Sequence, residues 1–113
     1  MASPQKLLFI CSQNRWRSLT AEKMYEGFAG YQVRSAGTEE GARIRVNEGH
    51  IGWADIIFVM EKRHIDRLRE RFREQLTGKQ VICLHIGDDY QPMSEELIGV
   101  LKEQLRPYVA VPE

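Results

Sequence analysis

Nothing in this sequence is in marked excess, and several things are scarce. Lysine plus arginine and aspartate plus glutamate stand at 16 each, so the formal net charge is zero. A chain with no surplus of one sign carries no electrostatic footprint for polyanions, and neither nucleic acid nor a membrane is expected as a partner. No apolar run approaches the ~18 residues that would span a bilayer. The opening MASPQK has neither the charged start nor the apolar stretch of a secretory signal, and the expected location is cytoplasmic. Only two cysteines are present, Cys11 and Cys83, and in that compartment they are expected as free thiols. The three histidines, His50, His64 and His85, share no ligand spacing, and there is no Cys-x-x-Cys or His-x-x-x-His, so neither a metal nor another cofactor is expected. Repeats, linkers and low-complexity segments are also missing.

What is present is a chain of 113 residues, read as one domain over residues 1–113. A chain of this size buries roughly two-thirds of its unfolded surface, enough for one core. The apolar run KLLFI reads as a strand buried on both faces. TAEKMYEGF follows as a helix, with Ala21, Met24, Tyr25 and Phe28 on one side, Ser18 or Thr20 as its N-cap, and Gly27 or Gly30 as its end. YQVRSAG is a second strand. Residues 39–53 are harder to read, because valine and isoleucine are spaced for a short helix but glycines interrupt them. DIIFVM is a strand, and EKRHIDRLRERFREQL a helix with Ile65, Leu68, Phe72 and Leu76 on one face, stopped by Gly78. QVICLHI is a fourth strand, GDDYQP a loop, and SEELIGVLKEQL a last helix capped by Ser94. Strands alternating with helices predict an α/β fold: a parallel sheet with helices on both faces and right-handed crossovers. In such folds ligands gather past the carboxyl ends of the strands, where both Cys11 and the pair Asp88–Asp89 fall.

The informative stretch is LLFICSQNRWRSLTAEKMYEGF, residues 7–28. A strand-to-helix turn needs only a cap, yet this one reads Cys11, Ser12, Gln13, Asn14, Arg15, Trp16, Arg17, Ser18. Five residues between Cys11 and Arg17 can wrap a turn whose N–H groups point inward, and such a nest at a helix start is an anion site. Arg17 adds a planar fork matched to two phosphate oxygens. Amide dipoles and a guanidinium favour the thiolate of a cysteine that faces them, and a thiolate beside a bound phosphate is placed to attack phosphorus. The Ser18 hydroxyl could donate to that thiolate. Asn14 could hold the loop, since asparagine tolerates left-handed backbone. Alone, the short pattern Cys-x5-Arg reads more readily as a buried cysteine followed by solvated arginines. Its place between strand and helix, the serine after the arginine, and the acids past a later strand favour the phosphate site.

The sequence resembles the low-molecular-weight protein tyrosine phosphatases, in particular a short bacterial branch of predicted members. The matching pieces are FICSQNRWRSLTAE, RSAGT at 34–38, ADIIFVMEKRH at 54–64 and DDY at 88–90, in the family's order over much of the chain. The loop also resembles that of the RNA polymerase C-terminal-domain phosphatases. The resemblance implies a three-layer fold on a four-stranded parallel sheet, and metal-free hydrolysis of phosphomonoesters in two steps. Cys11 would become a phosphocysteine, Arg17 would clamp the phosphoryl oxygens, and residues Ser12 to Ser18 would bind phosphate. The family's acid lies in an Asp-Pro-Tyr motif, which maps Asp88 to the acid, Asp89 to the proline and Tyr90 to the tyrosine. The chemistry asks for an acid in any case, because the leaving oxygen needs a proton and the attacking water a base. Spacing alone leaves Asp88 and Asp89 both open.

The departures from the family are informative. Gln13 stands where a glycine is usual, and Trp16 where many members have a second cysteine that can protect the nucleophile. The segment between SAGT and WADIIF is short. Trp16 either walls the pocket or packs on the first helix; Asp89 and Tyr90 are candidates for the substrate cleft. Arg15 reads as a solvated apex residue of the loop, Cys83 as a core thiol, and the arginines at 63, 67, 69, 71 and 73 as part of a solvated face with interleaved acids. The expected partners are a phosphorylated protein or small phosphomonoester, with phosphate or sulfate in the loop. Two other functions fit the same loop: phosphopeptide binding without turnover, and arsenate reduction, which would need Cys83 as a resolving thiol.

Overall fold

The computed structural model describes residues 3–113. Its elements are β1 (Gln5–Cys11), α1 (Arg17–Met24), β2 (Tyr31–Gly37), α2 (Glu48–Trp53), β3 (Ile56–Val59), α3 (Lys62–Phe72), β4 (Gln80–Cys83) and α4 (Glu95–Leu105). The four strands form one parallel sheet in the order β2-β1-β3-β4. β1 is therefore internal, which is why KLLFI carries no polar alternation. Leu7, Phe9 and Cys11 face a core shared with Tyr25 and with Leu97, Leu101 and Leu105 of α4. Leu8 and Ile10 face the other core, with Ile51 of α2 and Leu68 and Phe72 of α3. The period-two alternation of a strand thus supplies both layers from one run of residues. Among the described residues, no helix is long and apolar enough to cross a membrane.

Three expectations are corrected. Neither Ser18 nor Thr20 is the N-cap of α1: the helix starts at Arg17, behind a Trp16 cap that makes no side-chain hydrogen bond. The Ser18 hydroxyl turns instead toward the Cys11 sulfur, and Thr20 Oγ1 donates to the Trp16 carbonyl. α1 also stops at Met24, so Phe28 lies beyond it, stacked on Tyr31. The fourth strand is shorter than QVICLHI because His85 adopts φ +56°, which breaks extended geometry. Leu84 and Ile86 still donate to the Val59 and Met60 carbonyls, so this stretch follows β3 to the edge of the site. The hard-to-read segment contains α2, capped by Asn47. Ser94 caps α4 as expected, accepting from the Leu97 N–H.

Candidate active site

The loop from Ser12 to Trp16 leaves the carboxyl end of β1 and enters α1. Its carbonyls are taken by one neighbouring segment. Cys11 O accepts from Thr38 N–H, Ser12 O from Glu39 N–H, and Gln13 O from Arg43 N–H, at 3.0, 3.1 and 2.8 Å. Asn14 O accepts from Arg43 Nε, and Arg43 Nη2 reaches Asn14 Oδ1, both at 3.0 Å. With the carbonyls turned to that side, the N–H groups of residues 12–16 find no acceptor among the described residues. Asn14 supports the reversal by adopting φ +56°, a conformation asparagine tolerates better than most residues.

Gly37 permits the close approach. A Cβ there would lie 2.5 Å from Ser12 O, 2.7 Å from the Ala42 Cβ and 3.0 Å from the Asn14 amide nitrogen. Backbone packed this tightly accepts glycine alone.

Behind the loop lies a buried polar chain. Asn14 Nδ2 donates to Ser18 Oγ at 2.8 Å, and Ser18 Oγ lies 3.0 Å from Cys11 Sγ. Ser18 accepts from Asn14, so its own hydrogen is free to be given to a thiolate. The alternative acceptor, the Ala36 carbonyl, is farther away at 3.5 Å.

Arg17 is buried, and its Nη1 donates to Glu61 Oε2 and to the Ile86 carbonyl. Both partners hold the same corner of the guanidinium, which leaves Nε and Nη2 for a ligand. Glu61 also accepts from Arg63 Nη2 at 3.0 Å. Burial alone would raise the Glu61 pKa, but the hydrogen bonds and charges of Arg17 and Arg63 outweigh it and hold the group down at about 2. Next to it, His64 is buried, and burial together with the charges of Arg17 and Arg63 lowers its pKa to about 4. Its Nδ1 accepts from the Glu61 N–H at 3.0 Å, and its Nε2 lies 2.9 Å from Ser12 Oγ.

Beside these groups lies a cavity of about 290 Å³ with Cys11, Ser12, Gln13 and Arg17 in its lining and Arg15, Trp16, Glu39, Arg63 and Asp88 completing it. The loop cysteine and Asp88 therefore meet, although they are far apart in sequence. Asp89 and Tyr90 lie one step away, in an adjoining hollow that shares Trp16 and Asp88 with the first. Trp16, half exposed, stands between the two and walls both, rather than packing into the core. Asn14 and Ser18 are fully buried behind the loop. Cys83 is on β4, half-buried and 3.6 Å from His85 Nδ1, so it is less enclosed than a core thiol.

Three participants were missed in the sequence: Glu61, His64 and Arg43. Glu61-x-x-His64 has the spacing of a capping box with histidine in place of glutamate or glutamine, a signal that could have placed both at a helix start. Arg43 carries no comparable sequence mark.

Sheet order and the likeness to solved structures together define the class: the chain has the fold of the low-molecular-weight tyrosine phosphatases. No protein-family model matches the sequence, and no curated protein matches it. Solved structures do. SP-PTP, a low-molecular-weight protein tyrosine phosphatase from Streptococcus pyogenes, is similar with a TM-score of 0.75 and 15% identity over 94% of each chain. Wzb from Vibrio vulnificus, solved with benzylphosphonate, has a TM-score of 0.72 and 19% identity over 94% of this chain and 97% of its own. The YwlE arginine phosphatase from Geobacillus stearothermophilus has a TM-score of 0.65 and 24% identity over 92% and 94%. The likeness is thus to the whole fold and not to the loop alone.

Two outcomes follow. Gly37→Ala should push the loop off segment 38–43, lowering stability by about 1–3 kcal/mol and weakening inorganic phosphate binding in a calorimetric titration. Stability should also fall as pH drops from 6.5 toward about 4, because unfolded His64 binds a proton that folded His64 refuses. Below 4.5 the Glu61 contribution should fade as well, down to about pH 2. Urea unfolding across this range should show the first decline in the native chain and a shallower one in His64→Phe.

Proposed function

We propose that this protein hydrolyses phosphomonoesters, phosphotyrosine in particular, without a metal and through a phosphocysteine on Cys11. The observation that carries this reading is the unpartnered set of amides on residues 12–16 beside a cavity that Cys11 and Arg17 line together. In the first step the Cys11 thiolate attacks phosphorus, the bond to the leaving oxygen breaks, and Asp88 gives that oxygen a proton. In the second, Asp88 takes a proton from water, the water oxygen bonds to phosphorus, and the P–S bond breaks to return the thiolate and inorganic phosphate. Ser18 donates to the thiolate in the free state, and Asn14 holds Ser18. The loop amides and the free edge of Arg17 receive the equatorial oxygens, where charge is highest in the transition state.

Asp88 is preferred to Asp89 as the acid because it lines the cavity that holds Cys11, whereas Asp89 lines the adjoining hollow. The exposed face of Trp16 at the mouth offers a stacking wall for an aromatic leaving group. Benzylphosphonate, an aromatic phosphonate, is the ligand in the Vibrio vulnificus structure. The two free thiols and the lack of a spanning helix among the described residues fit a reducing, cytoplasmic location.

Hydrolysis of p-nitrophenyl phosphate with EDTA present tests the reading. Wild type should turn over, and Cys11→Ser should not, while still binding inorganic phosphate. Asp88→Ala should lose about 10²-fold or more in kcat/KM on phosphotyrosine, whose leaving group needs the proton, and much less in kcat/KM on p-nitrophenyl phosphate. Turnover by Cys11→Ser, or a larger loss in Asp89→Ala than in Asp88→Ala, would contradict the assignment.

A further inference from the structure

His64 is buried against the phosphate loop, yet the two steps above give it nothing to do. Its partners fix its tautomer. The Glu61 backbone N–H can only donate, so Nδ1, 3.0 Å away, must accept. A neutral ring then carries its proton on Nε2, which faces Ser12 Oγ at 2.9 Å. Ser12 is therefore the acceptor of that bond, and its own hydrogen is turned away from the ring. Ser12 lines the cavity beside Cys11 and Arg17, so the hydroxyl hydrogen is available to an oxyanion held there.

We propose that His64 is a positioning residue: by donating from Nε2 it holds the Ser12 hydroxyl as a donor to the bound phosphoryl group. The site then offers an oriented side-chain donor beyond the loop amides and Arg17. Without His64 the hydroxyl is free to rotate, and orienting it would cost part of the bond's worth in the transition state. The ring must be neutral for this, because a proton on Nδ1 would oppose the Glu61 N–H donor to donor. The charged groups facing it are Arg17 of α1, Arg63 of α3, Glu61 at the start of α3, and Glu39 of the segment behind the loop. Burial and the two arginines keep the proton off; the two glutamates oppose them. The inference rests on the phosphatase reading of the site, which names what Ser12 would donate to.

A double-mutant cycle tests it. Ser12→Ala and His64→Phe should each lower kcat/KM on p-nitrophenyl phosphate by about tenfold. The double variant should be no worse than either single one by more than about twofold, since one interaction is being removed twice. Inhibition by orthovanadate should weaken in parallel. Wild-type kcat/KM in Ser12→Ala, or a second full loss from His64→Phe in the Ser12→Ala background, would overturn the proposal while leaving the phosphatase reading intact.

The native chain provides a readout that does not depend on the variants folding or on turnover. Long-range proton–nitrogen NMR should find the His64 proton on Nε2 at neutral pH, with the Nε2 resonance moving when inorganic phosphate is added. A proton on Nδ1, or no response to saturating phosphate, would overturn the proposal. Absence of turnover in wild type would instead sink the phosphatase reading, and the tautomer and its response to phosphate would still decide the role of His64.

Discussion

A peptide loop binds an anion when its N–H groups converge, and they converge only if its carbonyls have somewhere else to go. Here they go to a single segment. Thr38, Glu39 and Arg43 supply backbone N–H donors to three successive loop carbonyls, and the Arg43 side chain takes the fourth. Gly37 sets the distance, since any side chain at that position would meet the Ser12 carbonyl. The shape of the loop is therefore set by two parallel neighbours, the end of β1 and the end of β2, and not by the loop sequence alone. The stretch after Thr38, which the sequence marks only as a shortened segment, is what braces the loop from behind.

The second anchor is the pair Arg17–Glu61. An arginine buried at the base of a cavity needs a fixed counter-charge, or it would swing out toward water. Glu61 gives that counter-charge from the start of α3, and the Ile86 carbonyl adds a bond from the stretch after β4. Three separate strand ends thus converge on one guanidinium. His64 ties the same helix start to Ser12, so the position of α3 is linked to the loop through two side chains three residues apart. The cavity lining carries Arg15, Arg17 and Arg63 together with Glu39 and Asp88, so both signs stand there rather than one, which matches a chain of zero net charge.

Much of this was legible in the sequence where the cause is local. β1 and β3 show as apolar runs, β2 by the glycine turn that closes it, α4 by its Ser94 cap, and α3 by its apolar spacing. The candidate loop stood out because its residue types and spacing are contiguous. What was not legible depends on contacts between distant segments. Ser18 has the chemistry of a cap, and only the approach of Cys11 across the turn shows why its hydroxyl serves the sulfur instead. Arg43 sits among glycines with no periodicity, and its two bonds to Asn14 exist only once β2 lies beside β1. Glu61 and His64 were visible as members of a charged helix, a pattern that ordinarily means a solvated face. The capping-box spacing was the physical clue, and it points inward here because α3 begins at the carboxyl edge of the sheet.

The claim on which all of this turns is that the Cys11 sulfur carries the phosphoryl group. The most direct measurement is to quench the Asp88→Ala variant with acid during turnover of p-nitrophenyl phosphate and locate the added phosphoryl mass by peptide mass spectrometry. Release of p-nitrophenolate needs little help from an acid, whereas attack by water needs the missing carboxylate, so the intermediate should accumulate. The account predicts phosphate on the peptide containing Cys11, absent when Cys11 is replaced by alanine. Phosphate on any other residue, or continued turnover with no phosphoryl-enzyme at all, would contradict it.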